Sequence, residues 1–168
     1  PQLSLPLQTP AWHITPKLGL HSTRYDLDRR VSTGPDSVVR NLPIFSVDAG
    51  LAFERQFDWF GRNLTQTLEP RLYYLLVPQR TQNNIPVFDS GLADFSFATI
   101  FSDNIYSGVD RIADANQITA ALTSRLIDPQ SGEEYVRGLV GQRYYFAKQH
   151  VTLPGEPARP GGASDFLA

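Results

Sequence analysis

The residues best suited to metal binding or acid–base chemistry gather near the end of one long polar segment. They are Asp103, Asp110, Arg111, Asp114 and Asn116. Clustered carboxylates can bind calcium, but this spacing is not that of an EF-hand loop, so we expect no metal site. We expect Arg111 to pair with Asp110 or Asp114 and so hold the segment over a neighbouring surface. Asp110, Arg111, Asp114 and Asn116 are therefore the candidates for pinning this loop.

Two histidines near the start of the chain, His13 and His21, lie eight residues apart. A strand rises about 3.3 Å per residue, so the two imidazoles cannot share one metal ion. The sequence contains no Ser/His/Asp arrangement, glycine-rich phosphate loop or metal-binding helix motif. It also has no cysteine, which excludes a disulfide framework and a cysteine-based metal centre. We expect neither enzymatic activity nor a cofactor.

A period of two residues dominates the rest of the sequence. Apolar and polar side chains alternate over residues 12–20, 43–53, 64–76, 117–127 and 135–146. Successive side chains of a strand point to opposite faces, so each run predicts a strand with one apolar face. Leu3, Leu5 and Leu7 resemble the end of an earlier strand. In the fourth run Ile118 and Leu122 also fit helical spacing, so helix and strand remain alternatives there.

Prolines interrupt two of the alternating runs. Pro16 lies inside the first run and Pro70 inside the third. Proline has no N–H to donate to a neighbouring strand. We expect a bulge or a locally broken hydrogen bond at each position.

Short and long connections alternate along the chain. The turns at residues 8–10, 58–63 and 128–133 are short, whereas the connections at 28–41, 78–116 and 147–163 are long and polar. Strands of about ten residues joined in this way are typical of bacterial outer-membrane barrels. A soluble β-sandwich, whose strands also alternate, is the alternative fold. The net charge of −2 argues against a nucleic-acid partner.

In a barrel the apolar strand faces contact lipid and the polar faces line the lumen. The lumen-facing candidates are Lys17, Asp48, Glu54, Glu69, Arg71, Arg125, Arg137 and Arg143. The lipid-facing candidates are Leu18, Phe45, Leu51, Leu68, Leu72, Leu122, Val140 and Tyr144. Glu69 and Arg71, two positions apart, are expected to form an ion pair of the lumen wall, with contact to a plug as the alternative.

The longest connection begins polar but then carries four aromatic residues, Phe88, Phe95, Phe97 and Phe101. So many aromatic rings in one loop need to be covered by other parts of the protein. We therefore expect this loop to fold into the mouth of a barrel or to pack on a neighbour.

Three stretches carry a specific resemblance. Residues 63–78 are NLTQTLEPRLYYLLVP, residues 106–117 are YSGVDRIADANQ, and residues 141–146 are GQRYYF. In their order and spacing they resemble the LptD family, also called organic-solvent-tolerance or OstA proteins. The resemblance is strongest over residues 43–146. It implies a strand for the fourth run, which the periodicity left open.

The resemblance also implies a function. Members of this family form an outer-membrane barrel of Gram-negative bacteria that receives lipopolysaccharide from a periplasmic bridge. They deliver it to the outer leaflet through a lateral opening between the first and last strands. A lipoprotein, LptE, plugs the lumen, and a periplasmic jelly-roll domain precedes the barrel.

We therefore expect an all-β fold in which residues 1–168 are a fragment of a single outer-membrane β-barrel domain. About six to seven antiparallel strands of a larger barrel are expected, with the N-terminal jelly-roll domain and the closing strands outside this piece. Expected partners are LptE, lipopolysaccharide, outer-membrane lipids and, through the missing domain, the periplasmic bridge. The expected role is a non-catalytic part of the lipopolysaccharide translocon, with a porin-like passive channel as the alternative.

Overall fold

The structure, a computed structural model, describes residues 1–27 and 36–168. Over these residues the chain forms a nine-stranded antiparallel sheet and no helix. The strands are β1 (Gln2–Ser4), β2 (Leu7–Gln8), β3 (Trp12–Asp26), β4 (Ser37–Leu51), β5 (Phe53–Trp59), β6 (Arg62–Val77), β7 (Ala115–Ile127), β8 (Glu134–Tyr145) and β9 (Gly162–Ala163). Within the described ranges, no helix has the length and apolar character needed to cross a membrane.

The strands lie in the sheet in the order in which the chain forms them. The path runs β1–β3–β4–β6–β7–β8–β9, with β2 beside β3 and β5 beside β6, so the sheet has seven strand positions and is not closed. This confirms the predicted all-β fold of six to seven antiparallel strands. The described residues form one sheet rather than two packed sheets, so the sandwich hypothesis is wrong. The fourth alternating run is the strand β7, which settles the ambiguity between helix and strand.

Both prolines coincide with breaks in the strand pairing, and neither shifts the register. Gly50 pairs with Arg71 and Phe53 with Leu68, so the interruption between β4 and β5 lies opposite Pro70 and the register continues across it. The interruption between β1 and β2 likewise lies opposite Pro16, whose carbonyl still accepts the Leu5 N–H at 3.0 Å. The missing N–H of proline therefore breaks the ladder locally, without a bulge.

The short turns lie at one end of the sheet. Between β5 and β6, Phe60 and Gly61 both have positive φ, 47° and 77°, as in a type I′ hairpin turn. In the turn between β7 and β8, the Asp128 carboxylate accepts the N–H of Gln130 at 2.7 Å and that of Ser131 at 3.2 Å.

The long connections lie at the opposite end. The first was predicted to span Asp28 to Asn41, but β4 begins at Ser37, so that prediction was wrong for residues 37–41. The strand continues there because residues 37–41 extend the antiparallel pairing with β3, from Ser22 opposite Asn41 to Asp26 opposite Ser37. The rest of that connection, residues 28–35, lies outside the described residues.

The two faces of the sheet have different surroundings. Residues directly opposite each other in an antiparallel pair share a face. One face carries Lys17 and Ser46 as opposed residues and is covered by residues 78–114. We call this the loop-covered face, and residues 78–114 the long loop. The other carries the opposed pair Leu18 and Phe45, which are 56% and 36% exposed; we call it the open face.

The hydrophobic core lies between the sheet and the long loop. Its buried members are Leu42, Tyr73, Leu75, Val77, Ile112 and Ala115, with Ile44 and Phe101 packed against them. These strand residues all point to the loop-covered face near the end with the long connections. The loop is therefore part of the folded unit and completes its core.

Candidate functional site: the long loop on the sheet

Arg143 of β8 anchors the tip of the long loop. Its side chain is 2% exposed, and its guanidinium donates to the Ile100 carbonyl and to Thr119 Oγ1, the latter at 3.2 Å. Next to it, Gly141 lets the loop approach the strand. A Cβ at residue 141 would lie 3.1 Å from Ile100 Cδ1 and 3.3 Å from Phe97 Cε1. Arg143 thus joins the sheet to the loop through buried, charge-assisted hydrogen bonds, and Gly141 provides the space for this close contact.

A second anchor lies on β3 and β6. Asp103 of the loop accepts the Lys17 ammonium at 2.6 Å and the Tyr73 hydroxyl. The neighbouring Phe101 ring lies under the Arg71 guanidinium, 4.0 Å from its carbon to the ring centroid. A cation over an aromatic face is attracted by the ring's quadrupole, so Arg71 helps to hold the loop.

A third anchor joins the two ends of the loop to β4. The buried Arg40 guanidinium donates to Gln82 Oε1 at 2.7 Å and to the carbonyls of Asp110 and Val109, each at 2.6 Å. Gln82 in turn donates from Nε2 to the Ile112 carbonyl at 2.7 Å. Arg40 and Gln82 therefore close the loop at its base through buried hydrogen bonds, although Arg40 Nε has no hydrogen-bond partner among the described residues.

Asp110 caps a turn of the long loop. Its Oδ2 accepts three backbone N–H groups, those of Phe88 at 2.8 Å, Asp89 at 2.9 Å and Ser90 at 3.2 Å. Desolvation of the carboxylate opposes ionisation, but these donors outweigh it and lower the pKa of Asp110 below its ordinary value. The carboxylate thus stays charged and holds the turn together.

Asp114 joins the long loop to the connection that follows β8. Its carboxylate accepts the backbone N–H of His150 at 2.9 Å and that of Val151 at 2.8 Å, while its carbonyl accepts Gln149 Nε2 at 2.9 Å. The Tyr106 hydroxyl adds a bond of 2.9 Å to the Val151 carbonyl. The two connections therefore form one structure at this end of the sheet.

Within the described residues, Arg111 does not form the predicted ion pair with Asp110 or Asp114. The Arg111 guanidinium is buried and donates to the Gln82 carbonyl, while both carboxylates cap backbone N–H groups. Burial, and then the nearby positive charge of Arg40, lower the pKa of Arg111. Asn116 lies in β7, where its Oδ1 accepts the Tyr74 hydroxyl at 3.1 Å, so it contacts the strand rather than the loop.

All eight predicted lumen-facing residues lie on the loop-covered face, but their pairing differs from the prediction. Glu69 and Arg71 do not pair with each other. Arg71 donates to Asp48 at 2.9 and 2.5 Å, and Arg125 donates to Glu69. Both pairs join residues that are diagonal to each other on adjacent strands, a separation that long side chains such as arginine can span. Arg137 pairs instead with Glu134 of its own strand at 2.8 Å.

His13 extends the first of these pairs. Its Nε2 lies 3.5 Å from Asp48 Oδ1, and its ring lies over Gly50, where a Cβ would meet His13 Cε1 at 2.4 Å. Glycine is therefore required at residue 50 while the imidazole keeps this position. Among the described His, Asp and Glu side chains, no group of three is arranged to hold a metal ion.

A cavity of about 640 Å³ lies between the long loop and the part of the sheet nearer the short turns. Phe97 and Phe101 border it from the loop, and Glu69, Arg71 and Thr123 border it from the strands. The prediction that the aromatic residues of this loop are covered is confirmed for these two and for Phe95, which lies 5.4 Å from the Arg143 guanidinium carbon. Phe88 remains 65% exposed.

The eight predicted lipid-facing residues all lie on the open face, and all are exposed. Their exposed fractions are 56% for Leu18, 36% for Phe45, 48% for Leu51, 41% for Leu68, 50% for Leu72, 37% for Leu122, 40% for Val140 and 49% for Tyr144. So much apolar surface on one face of a sheet needs an apolar environment to cover it.

Three residues that anchor the loop were missed in the sequence. Arg40 fell in a segment assigned to a connection, and the apolar residues Leu42 and Ile44 separate it from the polar positions Ser46 and Asp48 on the same face. Gln82 and Thr119 carry no local signal, because their importance arises only from contacts between segments far apart in the chain.

Comparison with known proteins matches the whole chain, residues 1–168, to the family model described as "LptD: LPS transport system D". The "LPS-assembly protein LptD" of Aromatoleum aromaticum is 58% identical over 168 residues, covering 100% of this chain and 21% of that protein. The proteins of the same name from Thiobacillus denitrificans and Bordetella pertussis are each 49% identical, covering 100% and 99% of this chain and 23% and 22% of their own lengths. The chain thus spans about a fifth of the length of the curated relatives it matches.

Proposed function

We propose, because the chain belongs to the LptD family, that it forms part of the wall of an outer-membrane barrel that inserts lipopolysaccharide into the outer leaflet. The observation that carries this proposal is the match to the family over residues 1–168. The fold supports it, since an open antiparallel sheet of consecutive strands can be extended into a closed barrel by further strands. In this proposal residues 1–168 belong to a single barrel domain, with a jelly-roll domain and the closing strands elsewhere in the parent protein.

The two faces of the sheet support an orientation. The open face contacts lipid, because its side chains are apolar and exposed. The loop-covered face lines the lumen, because it carries the ion pairs Asp48–Arg71 and Glu69–Arg125 beside a cavity. The short turns are then periplasmic, and the long loop caps the extracellular mouth of the barrel.

The cavity beneath the long loop supports a plugged lumen. Its charged and aromatic lining suits a protein surface, so the lipoprotein LptE would lie against this half of the wall. Lipopolysaccharide would arrive from a periplasmic bridge and leave through a gate elsewhere in the barrel. The chain's own contribution is non-catalytic, because it supplies part of the barrel wall and the long loop that caps the mouth of the barrel.

The porin-like alternative predicts a different phenotype. In a Gram-negative host, depletion of the parent protein is expected to lower the amount of lipopolysaccharide labelled by an impermeant probe at the cell surface. A passive channel would instead lower the uptake of small solutes and leave surface lipopolysaccharide unchanged, which would overturn the proposal. Affinity purification of the parent protein should also recover a lipoprotein, whereas a porin would recover none.

A further inference from the structure

A polar row crosses the open face near the end with the short turns. Arg55 of β5 donates from Nε to Gln66 Oε1 of β6 at 2.8 Å, and Gln66 Nε2 lies 3.4 Å from Ser124 Oγ of β7. Arg55 and Gln66 are directly opposed in the register, so they share a face with the opposed pair Phe53 and Leu68. The row therefore interrupts a face that is otherwise mostly apolar.

Arg55 is the one charged residue on the open face of β4 and β5 between Val39 and Trp59. It is exposed, and none of the carboxylates in the described ranges lies within ion-pair distance of it. The neighbouring Glu54 is opposed to Thr67 and Asp58 to Asn63, so both acids belong to the other face. Most arginines of the loop-covered face have carboxylate partners, which Arg55 lacks.

The geometry leaves this guanidinium free to bind an anion. Its described hydrogen bond uses only Nε, so both terminal nitrogens can donate. Its carbon lies 5.9 Å from the centroid of the Phe57 ring, which helps to orient it. A cleft of about 330 Å³ opens here, lined by Arg55 and Gln66, by the apolar groups of Phe53 and Leu68, and by Glu54. The strand register places the Glu54 side chain on the other face.

We propose that Arg55 and Gln66 bind the phosphate of a phospholipid, with an acyl chain along Phe53 and Leu68. The inference rests on the proposed function, which places the open face in lipid and this end of the sheet at the periplasmic leaflet. An unpaired cation at the edge of an apolar band needs an anion at headgroup depth, and a guanidinium binds phosphate through two parallel N–H groups. The second N–H of the Gln66 amide adds a neutral donor beside it, while the Ser124 hydroxyl donates to the Thr67 carbonyl at 2.9 Å.

The test uses the full-length parent protein, purified in mild detergent and analysed by native mass spectrometry. The probes are dioleoylphosphatidylglycerol and dioleoylglycerol, which lacks the phosphate. Arg55→Gln is expected to lower retention of the phospholipid about fivefold and to leave retention of dioleoylglycerol unchanged. Arg55→Lys, which keeps the charge but not the guanidinium geometry, is expected to be intermediate.

Arg137→Gln is the matched control. It removes the same charge from an exposed position of the loop-covered face, where Arg137 pairs with Glu134, and is expected to retain phospholipid like the unsubstituted protein. Equal retention of the phospholipid by Arg55→Gln and the unsubstituted protein would overturn the site. Failure of the proposed function is seen separately, because depletion of the parent protein would then leave surface lipopolysaccharide unchanged.

Discussion

The two faces of the sheet differ most clearly on β6, where adjacent residues meet opposite surroundings. Leu72 on the open face is 50% exposed, whereas Tyr73 on the loop-covered face is 5% exposed. Both side chains are largely apolar, so composition alone does not separate them. The long loop covers Tyr73, and nothing in the described part of the chain covers Leu72. Each face is stabilised by what covers it, which is the protein's own loop on one side and, in our proposal, lipid on the other.

The largest difference is expected from placing a charge on each face of β7 at the same depth. Leu122→Arg should destabilise the parent barrel by about 2–4 kcal/mol, because it places a guanidinium in the lipid-facing band. Thr123→Arg should cost less than about 1 kcal/mol, because this residue borders the cavity near Glu69. Urea unfolding of the two variants in lipid vesicles measures both values. Equal losses would contradict the assignment of the faces.

A somewhat smaller effect is expected from the buried anchor of the loop. Arg143→Met should weaken loop docking by about 2–3 kcal/mol, since the Ile100 carbonyl and Thr119 lose a charged donor. Hydrogen exchange of the amides of residues 96–102 reports the docking. Arg137→Met, which removes an exposed arginine of the same strand, is the control and should leave exchange in the loop like that of the unsubstituted protein. If exchange were unchanged in the first variant, Arg143 would not be the anchor.

The contact of the loop with β8 provides a steric test. Gly141→Val should weaken docking by about 1–3 kcal/mol, because its Cβ alone would lie 3.1 Å from Ile100 Cδ1. Gly138→Val is the control on the same strand, since a Cβ there meets no atom within 4 Å. If exchange rates in the loop rose equally in both variants, the cause would be valine in the strand rather than the contact with Ile100.

The smallest effect concerns the cap formed by Asp110. Because its pKa is lowered in the folded protein, the stability it contributes is complete above the unfolded pKa of about 3.9 and is lost as the pH falls through the lower folded value. Asp110→Asn should weaken loop docking by about 1–2 kcal/mol near neutral pH and reduce its loss in acid.

Hydrogen exchange of the Phe88, Asp89 and Ser90 amides at several pH values measures this effect. Asp94→Asn, at an exposed position of the same loop, is the control and should follow the unsubstituted protein. Identical acid sensitivity of Asp110→Asn and the unsubstituted protein would show that other carboxylates hold the turn.

Much of the strand pattern could be predicted from periodicity, but the site could not. Alternation located the strands, and it placed residues such as Lys17 and Leu18 on opposite faces. It failed where both faces of a strand are apolar, as at Tyr73 to Val77, because the cover for the second face comes from a distant loop. Ion pairs were mispredicted for Glu69, Arg71 and Arg111, because partners across strands or in other segments are nearer than sequence neighbours.

By itself, the sequence determined the strand periodicity, the alternation of short and long connections and, through its motifs, the family. These are local properties, set by the two-residue period of the strand and by turn residues such as Gly61. Only the tertiary structure decided that Arg143, Arg40 and Lys17 converge on one loop, and that Arg55 is left without a carboxylate partner in the described part of the chain. Such contacts depend on strand register and loop path, which bring together residues up to 86 positions apart.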